Sequence, residues 1–262
     1  MPINVNMQSF GTQELRRDLG QLAVLTKKGI GKEIRFSAAR LAENLAVATQ
    51  PFGRDEAQAS GDDTVRRDIL RVFTSAGAIF GSLKKFAGKP TSDAFWALSE
   101  QKTAKSRRQA VEVAQKVGMR AIKGFSTVNP QIHKSRRTNG RVKKGGDMYI
   151  ATNNNTLKNY INKKQRMVGF AKAGWLACAL DLKRRVNGMR FVRRHRGIAP
   201  HTVNDLSEST LQSVYIENSI PYVSNLINNT SYMTAIQKER NSIRAQIQTL
   251  IAKQTAKLNR AT

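Results

Sequence analysis

A single cysteine, Cys178, and three histidines stand among 262 residues. One thiol cannot close an intramolecular disulfide or furnish a cysteine-based zinc site, so both are excluded within one chain. That usage fits a reducing compartment without requiring one. Long apolar runs are missing too: none approaches the roughly 20 residues of a membrane span. Residues 1–10 are polar and are followed by Glu14, Arg16, Arg17 and Asp18, which is not the charged-then-apolar pattern of a cleaved leader. The expectation is a soluble chain made without such a leader, with no membrane partner. Aromatic residues make up only 6% of the chain, which predicts a thin core, whereas 40% apolar content and periodic segments argue against wholesale disorder.

Acidic residues are scarce where basic ones are dense. Between 101 and 200, 25 Lys and Arg face only Glu112, Asp147 and Asp181, so +22 of the net +27 charge lies there. The flanks are nearly balanced, at +3 over 1–100 and +2 over 201–262. A field this concentrated reads as an interaction surface. It is made of six clusters: Arg107 with Arg108; Lys134 with Arg136 and Arg137; Lys143 with Lys144; Lys163, Lys164 and Arg166; Lys183, Arg184 and Arg185; and Arg193, Arg194 and Arg196. These are candidate contacts to a polyanion, whose affinity would fall steeply with salt, or to an acidic protein surface. No helix-turn-helix, zinc finger or aromatic-rich strand is legible, which speaks against sequence-specific readout.

Helical periodicity dominates. Leu15, Leu19 and Leu22, then Ile34, Ala38, Leu41 and Leu45, predict two helices in series over residues 1–50, an extended N-terminal arm that buries its stripes against another element or subunit. Asp62 and Asp63 are expected to cap a helix carrying Val65, Ile69, Val72 and Phe73. Further helices are expected over 78–86, from 91, and over 106–119. Residues 131–146, with six basic side chains and no period, read as a mobile loop. Residues 147–152 and 211–217 read as strands. One long helix is expected over 156–186, with Gly169 and Gly174 inside it and packed closely on a neighbour. The last 30 residues predict an amphipathic helix. The fold expected is α+β and mostly helical, a small antiparallel sheet flanked by long helices, with residues 51–262 forming one domain after the arm.

No catalytic, cofactor or metal residues are assigned. His133, His195 and His201 have Lys134, Arg136, Arg194 and Arg196 as sequence neighbours, which opposes a bound cation or an imidazolium. Cys178 lies on an apolar stripe and reads as a small buried hydrophobe. The segment Gly29-Ile30-Gly31-Lys32 lacks the spacing of a phosphate-binding loop. The chain is therefore expected not to be an enzyme.

Five segments, in order, resemble the tail-completion or minor tail proteins of long-tailed bacteriophages, the group of the minor tail protein Z type. They are 49–53 (TQPFG), 65–73 (VRRDILRVF), 160–175 (YINKKQRMVGFAKAGW), 190–195 (RFVRRH) and 214–223 (VYIENSIPYV). The order and spacing carry the match, and GFAKAGW is its most specific piece. The long helical stretch 76–123 and the high charge depart from the familiar pattern. The resemblance implies an α+β subunit of a homo-oligomeric ring, a hexamer being one order, at the head–tail junction or tail terminus of the virion. Such a ring works without an active site or cofactor, capping the tail tube and docking to neck or connector proteins, with genomic DNA in its channel as a further partner. Two other readings stay open: a sequence-tolerant nucleic-acid-binding protein of ribosomal or nucleoid type, and a capsid-associated minor protein.

Overall fold

The structure, a computed structural model, describes residues 3–5, 31–138, 141–195, 197–205 and 213–258. The expected helix around Leu15–Leu22 and the candidate contact Arg196 lie outside the described residues. The fold is α+β and mostly helical, with a small antiparallel sheet. The chain divides into two compact units: residues 1–58 with 168–262 form unit one, and residues 59–167 form unit two. This division does not follow the expected split at residue 50.

In unit one, helix α1 (residues 31–48) buries Ile34, Ala38, Leu41, Ala42, Leu45 and Ala46. Its described part is therefore an element of this chain's own core. The antiparallel sheet has the order β1 (Ile3–Val5), β8 (Ser213–Asn218), β7 (His201–Asp205). Strand β8 alternates exposed and buried positions from Ser213, which places Val214, Ile216 and Asn218 inward. Helix α8 (Phe170–Asp181) packs on β8 and β7, and the terminal helix α9 (Asn229–Leu258) is tied to α1 where Glu239 accepts from Arg40.

Three close approaches fix this unit. Gly174 lies against Asn218, whose Oδ1 would be 2.2 Å from a Cβ added there. Asn218 Nδ2 in turn donates to the carbonyl of Ala171 at 2.7 Å. Gly169 has φ +88° and faces the Phe191 ring, 2.7 Å from the position a Cβ would take. That left-handed residue interrupts the expected 156–186 helix, leaving α7 (Asn154–Gln165) in unit two and α8 in unit one. Lys172 is fully buried, and its ammonium donates to the carbonyls of Gly53 at 2.7 Å and Ala46 at 2.8 Å. Gln50 N donates to the Leu226 carbonyl and Thr49 bridges to Ile227, so residues 46–53 are held from both sides. Cys178 is buried as expected, its thiol toward the carbonyl of Glu217.

Unit two contains α2 (Ala57–Leu70), α3 (Ala76–Phe86), α4 (Lys89–Glu100), α5 (Ala104–Lys116), α6 (Pro130–Ser135) and α7. Helix α2 begins at Ala57, so Asp62 and Asp63 are interior helix positions and not the expected caps. Strand β6 (Met148–Ala151) lies between β2 (Phe73–Thr74) and β3 (Ile122–Ser126), and both pairings are parallel. This parallel sheet was not anticipated: its strands are too short for a period to show. Ile79, Leu83, Phe95, Ala110, Ala114 and Ile150 form one apolar cluster, and Ile69, Val72, Phe73, Val142, Ala151 and Leu157 form a second.

Candidate polyanion interface

Residues 131–146 are expected as an irregular loop; their described parts, 131–138 and 141–146, contain most of a short helix and two strands paired as a hairpin. Asn129 caps α6 by accepting from Gln131 N at 2.8 Å, and Pro130 occupies its first turn. Strands β4 (Arg137–Thr138) and β5 (Arg141–Val142) follow, paired antiparallel with Arg137 opposite Val142. Two residues per strand cannot hold a hairpin by themselves. It is held by side chains of α2 and the residue just after it.

Asp68 is the anchor. One carboxylate oxygen accepts from the backbone N–H of Val142 at 2.6 Å, and the other lies 3.1 Å from His133 Nε2 and 3.3 Å from Arg137 Nε. Arg71, just after α2, donates to the Val142 carbonyl at 3.1 Å, so both backbone groups of Val142 are engaged, one from α2 and one from the residue that follows it. The Val142 side chain is itself buried, which contributes roughly 1.5–3 kcal/mol. An ionised carboxylate only accepts, so a hydrogen sits on His133 Nε2, while Nδ1 lies within hydrogen-bond distance of the Tyr160 hydroxyl at 3.0 Å. The His133 and Tyr160 rings meet edge to face at 5.8 Å, linking α6 to α7.

Burial would push the Asp68 carboxyl up. The hydrogen bonds from His133 and Val142 N, with the charges of Arg137 and His133, outweigh it and hold the group below the ordinary aspartate value. Burial raises the Tyr160 phenol, which keeps it a donor, with Arg137 opposing and Asp68 reinforcing. The cationic sequence neighbours of His133 thus misled: in space a carboxylate sits beside its ring. His133 is 4% exposed with both nitrogens engaged, so this chain of groups positions the hairpin and offers no ring nitrogen to a substrate.

Around this anchor the cations point outward. Lys134, Arg141, Lys143, Lys144, Lys163 and Arg166 are exposed, and none pairs with a carboxylate among the described residues. Arg136 is half-buried, its guanidinium lying where Gly146 has no side chain. Lys164 sits 5.7 Å over the Tyr160 ring. Residues 131–166 hold ten Lys and Arg against one acid, Asp147, which is paired with Lys123. The candidates at 134–144 and 163–166 are therefore brought together in unit two.

The others are not. Arg107 and Arg108 lie on α5, which packs on α4 and β3, with Arg107 over the Phe125 ring at 5.5 Å. Arg193 and Arg194 belong to unit one, where their guanidiniums donate to the carbonyls of Val186 at 2.6 Å and Val168 at 2.9 Å. Arg184 pairs with the buried Glu43, which also pairs with Arg54 at 2.6 Å. These three are tied to backbone carbonyls or a buried carboxylate of unit one. Against this geometry the comparisons with known proteins are silent. The chain matches no family model, no curated protein and no solved structure.

Sequence reasoning missed Asp68, Arg71 and Tyr160, although signals existed. Asp68 falls at the 65, 68, 69, 72 spacing of the apolar stripe of α2, so an acid occupied a core position. Asn139-Gly140 between two short basic runs is a hairpin dipeptide in sequence terms. Arg71 and Tyr160 carry no comparable mark. Among the described residues no group of three or more His, Cys, Asp and Glu could hold a metal ion, and no helix is long and apolar enough to cross a membrane.

Proposed function

We propose that this chain is a structural, non-enzymatic virion protein of a tailed bacteriophage. In this reading it assembles as a homo-oligomeric ring at the head–tail junction or tail terminus, capping the tail tube and joining it to the neck. One observation carries the reading: segments of the phage-like pattern that are far apart in sequence meet in unit one. Lys172 of the GFAKAGW block donates to Gly53 of TQPFG; Gly169 of the same block packs on Phe191 of RFVRRH; and Gly174 packs on Asn218 of VYIENSIPYV. Independent motifs have no reason to share contacts, whereas pieces of one ancestral module do. Closed rotational symmetry would repeat the basic face of each subunit around the ring. Rings in negative-stain images, and the protein in purified virions at a copy number matching the ring order, are the expected results; absence from virions defeats the proposal.

The second reading, a sequence-tolerant nucleic-acid-binding protein, is favoured by one feature, the outward cations of unit two. It predicts tight binding by a monomer. A chain that binds nucleic acid and never assembles would favour it over the virion reading.

A further inference from the structure

We infer that the α6–hairpin–α7 face of unit two binds the phosphate backbone of double-stranded DNA without regard to sequence. Charge alone does not separate DNA from an acidic protein partner; the rest of the surface does. Protein interfaces centre on apolar and aromatic anchors and are depleted in lysine. Among the described residues the exposed large apolar side chains are Phe52, Phe86, Trp96, Val117, Met167, Leu180, Val203, Tyr222 and Met233; none lies between 131 and 166, and Met167 is the nearest in sequence. What this stretch exposes is lysine, arginine and asparagine: besides the cations, Asn154, Asn155, Asn159 and Asn162 on α7 offer amide donors of the kind that contact phosphates.

Single-stranded nucleic acid is disfavoured for a different reason. Binding an unpaired strand relies on aromatic faces for its bases. Tyr149 and Tyr160 are only partly exposed, and Tyr160 is already hydrogen-bonded to His133 and lies under Lys164. In α6, six residues long, and the hairpin strands, two residues each, there is no element long enough to enter a groove and read bases. Exposed cations on a braced framework, without stacking or reading elements, suit a duplex backbone. Asp68 acts here as a positioning residue: it engages Arg137 and Val142 N on the inner side, and Lys143 and Lys144 continue outward from that fixed point.

The inference deepens the virion reading and rests on it for the source of the duplex, a genome passing through the ring; the binding itself is measured without a ring. The full chain is titrated with two unrelated DNA duplexes of about 30 bp over a series of salt concentrations, and its oligomeric state is recorded on the same samples by mass photometry. We expect the two sequences to bind within about twofold of each other, with log K falling linearly in log salt. The triple variant K134Q/K143Q/K144Q should reduce that slope by about 2.7, roughly 0.9 per lost phosphate contact, and weaken binding at least about tenfold near 0.1 M salt. The control K84Q/K85Q/K89Q removes three exposed lysines of α3 and α4 and should leave the slope unchanged. Equal slopes for the two triple variants, no binding at about 50 mM salt, or displacement by poly-glutamate as effective as by unlabelled duplex would each overturn the inference. Duplex binding that meets these expectations with no ring in solution or in virions would leave the inference standing and remove the virion reading.

Discussion

The two units use positive charge in opposite ways. In unit one several cations act as braces: Lys172 is enclosed and donates to two carbonyls, Arg54 and Arg184 converge on the buried Glu43, and Arg40 meets Glu239, Ser242 and Gln246 on α9. In unit two one buried carboxylate, Asp68, fixes a small framework, and the cations around it face solvent. Unit two is the more basic, at +16 over 109 residues against +11 over 153 in unit one, but both are basic, so net charge alone does not identify a binding surface. What does is where the counter-charges sit: inside unit one they meet the cations, and on the α6–hairpin–α7 face they are absent from the described surface except at Asp147.

The sharpest way to break this contrast is to remove each unit's central carboxylate. Asp68→Ala leaves Val142 N–H and His133 Nε2–H without their acceptor, so the expected cost is about 3–4 kcal/mol. The loss should concentrate in faster hydrogen exchange at Val142 and its neighbours, and duplex binding should weaken because the hairpin is no longer held. Glu43→Gln removes the charge shared by Arg54 and Arg184. Its expected cost is smaller, about 2–3 kcal/mol, because Arg54 is 40% and Arg184 31% exposed and water takes up part of the lost interaction. This second variant should destabilise unit one in denaturant unfolding while leaving duplex affinity unchanged. If Glu43→Gln weakened DNA binding as much as Asp68→Ala, the distinction between bracing and display would collapse.

That distinction was only half legible in the sequence. The stripes of α1, α3, α5 and α9 are long enough for their 3.6-residue period to show, and Leu211–Glu217 alternates, so that strand was readable. The parallel sheet and the β4–β5 hairpin have strands of two to five residues, below the length at which alternation separates from chance. Asp68 and Lys172 were available to a stricter reading, since each stands at a core position of an apolar stripe: 65, 68, 69, 72 for the first and 168, 171, 172, 175 for the second. Glu43 was not. It lies on the far side of the 34, 38, 41, 45 stripe of α1, and its burial depends on arginines that are remote in sequence. The helix break at Gly169 was hidden for a similar reason, because the apolar spacing continues across it and only contact with Phe191 requires a residue without a side chain.

Acid and base should also act on different units. Burial lowers the Lys172 ammonium to about 7, with Glu56 opposing the shift and Arg54 adding to it, while an unfolded lysine titrates near 10.4. Between those values the unfolded chain holds more protons, so stability of unit one rises with pH. The gain from pH 7 to 8 should be about 1 kcal/mol, level off toward the unfolded value, and vanish in Lys172→Met. Asp68 works in the other direction: its folded carboxyl titrates below the ordinary value, so its contribution is complete at neutral pH and is lost as acid protonates it. Following amide exchange of each unit across pH separates the two; a pH-independent unit one above neutrality would mean that the buried lysine is not the braced, desolvated group described.

The smallest expected effect is the most specific to the contrast. If Lys134, Lys143 and Lys144 are displayed and not braced, replacing all three with glutamine removes no hydrogen bond, no ion pair and no buried apolar contact that holds unit two. Their mutual repulsion is relieved and little else changes, so unfolding free energy should stay within about 0.5 kcal/mol of the parent, with any deviation toward greater stability and largest at low salt, where like charges are least screened. Chemical denaturation at two ionic strengths measures both quantities. A loss of more than about 1 kcal/mol would place these lysines among the braces and make unit two an extension of the pattern in unit one.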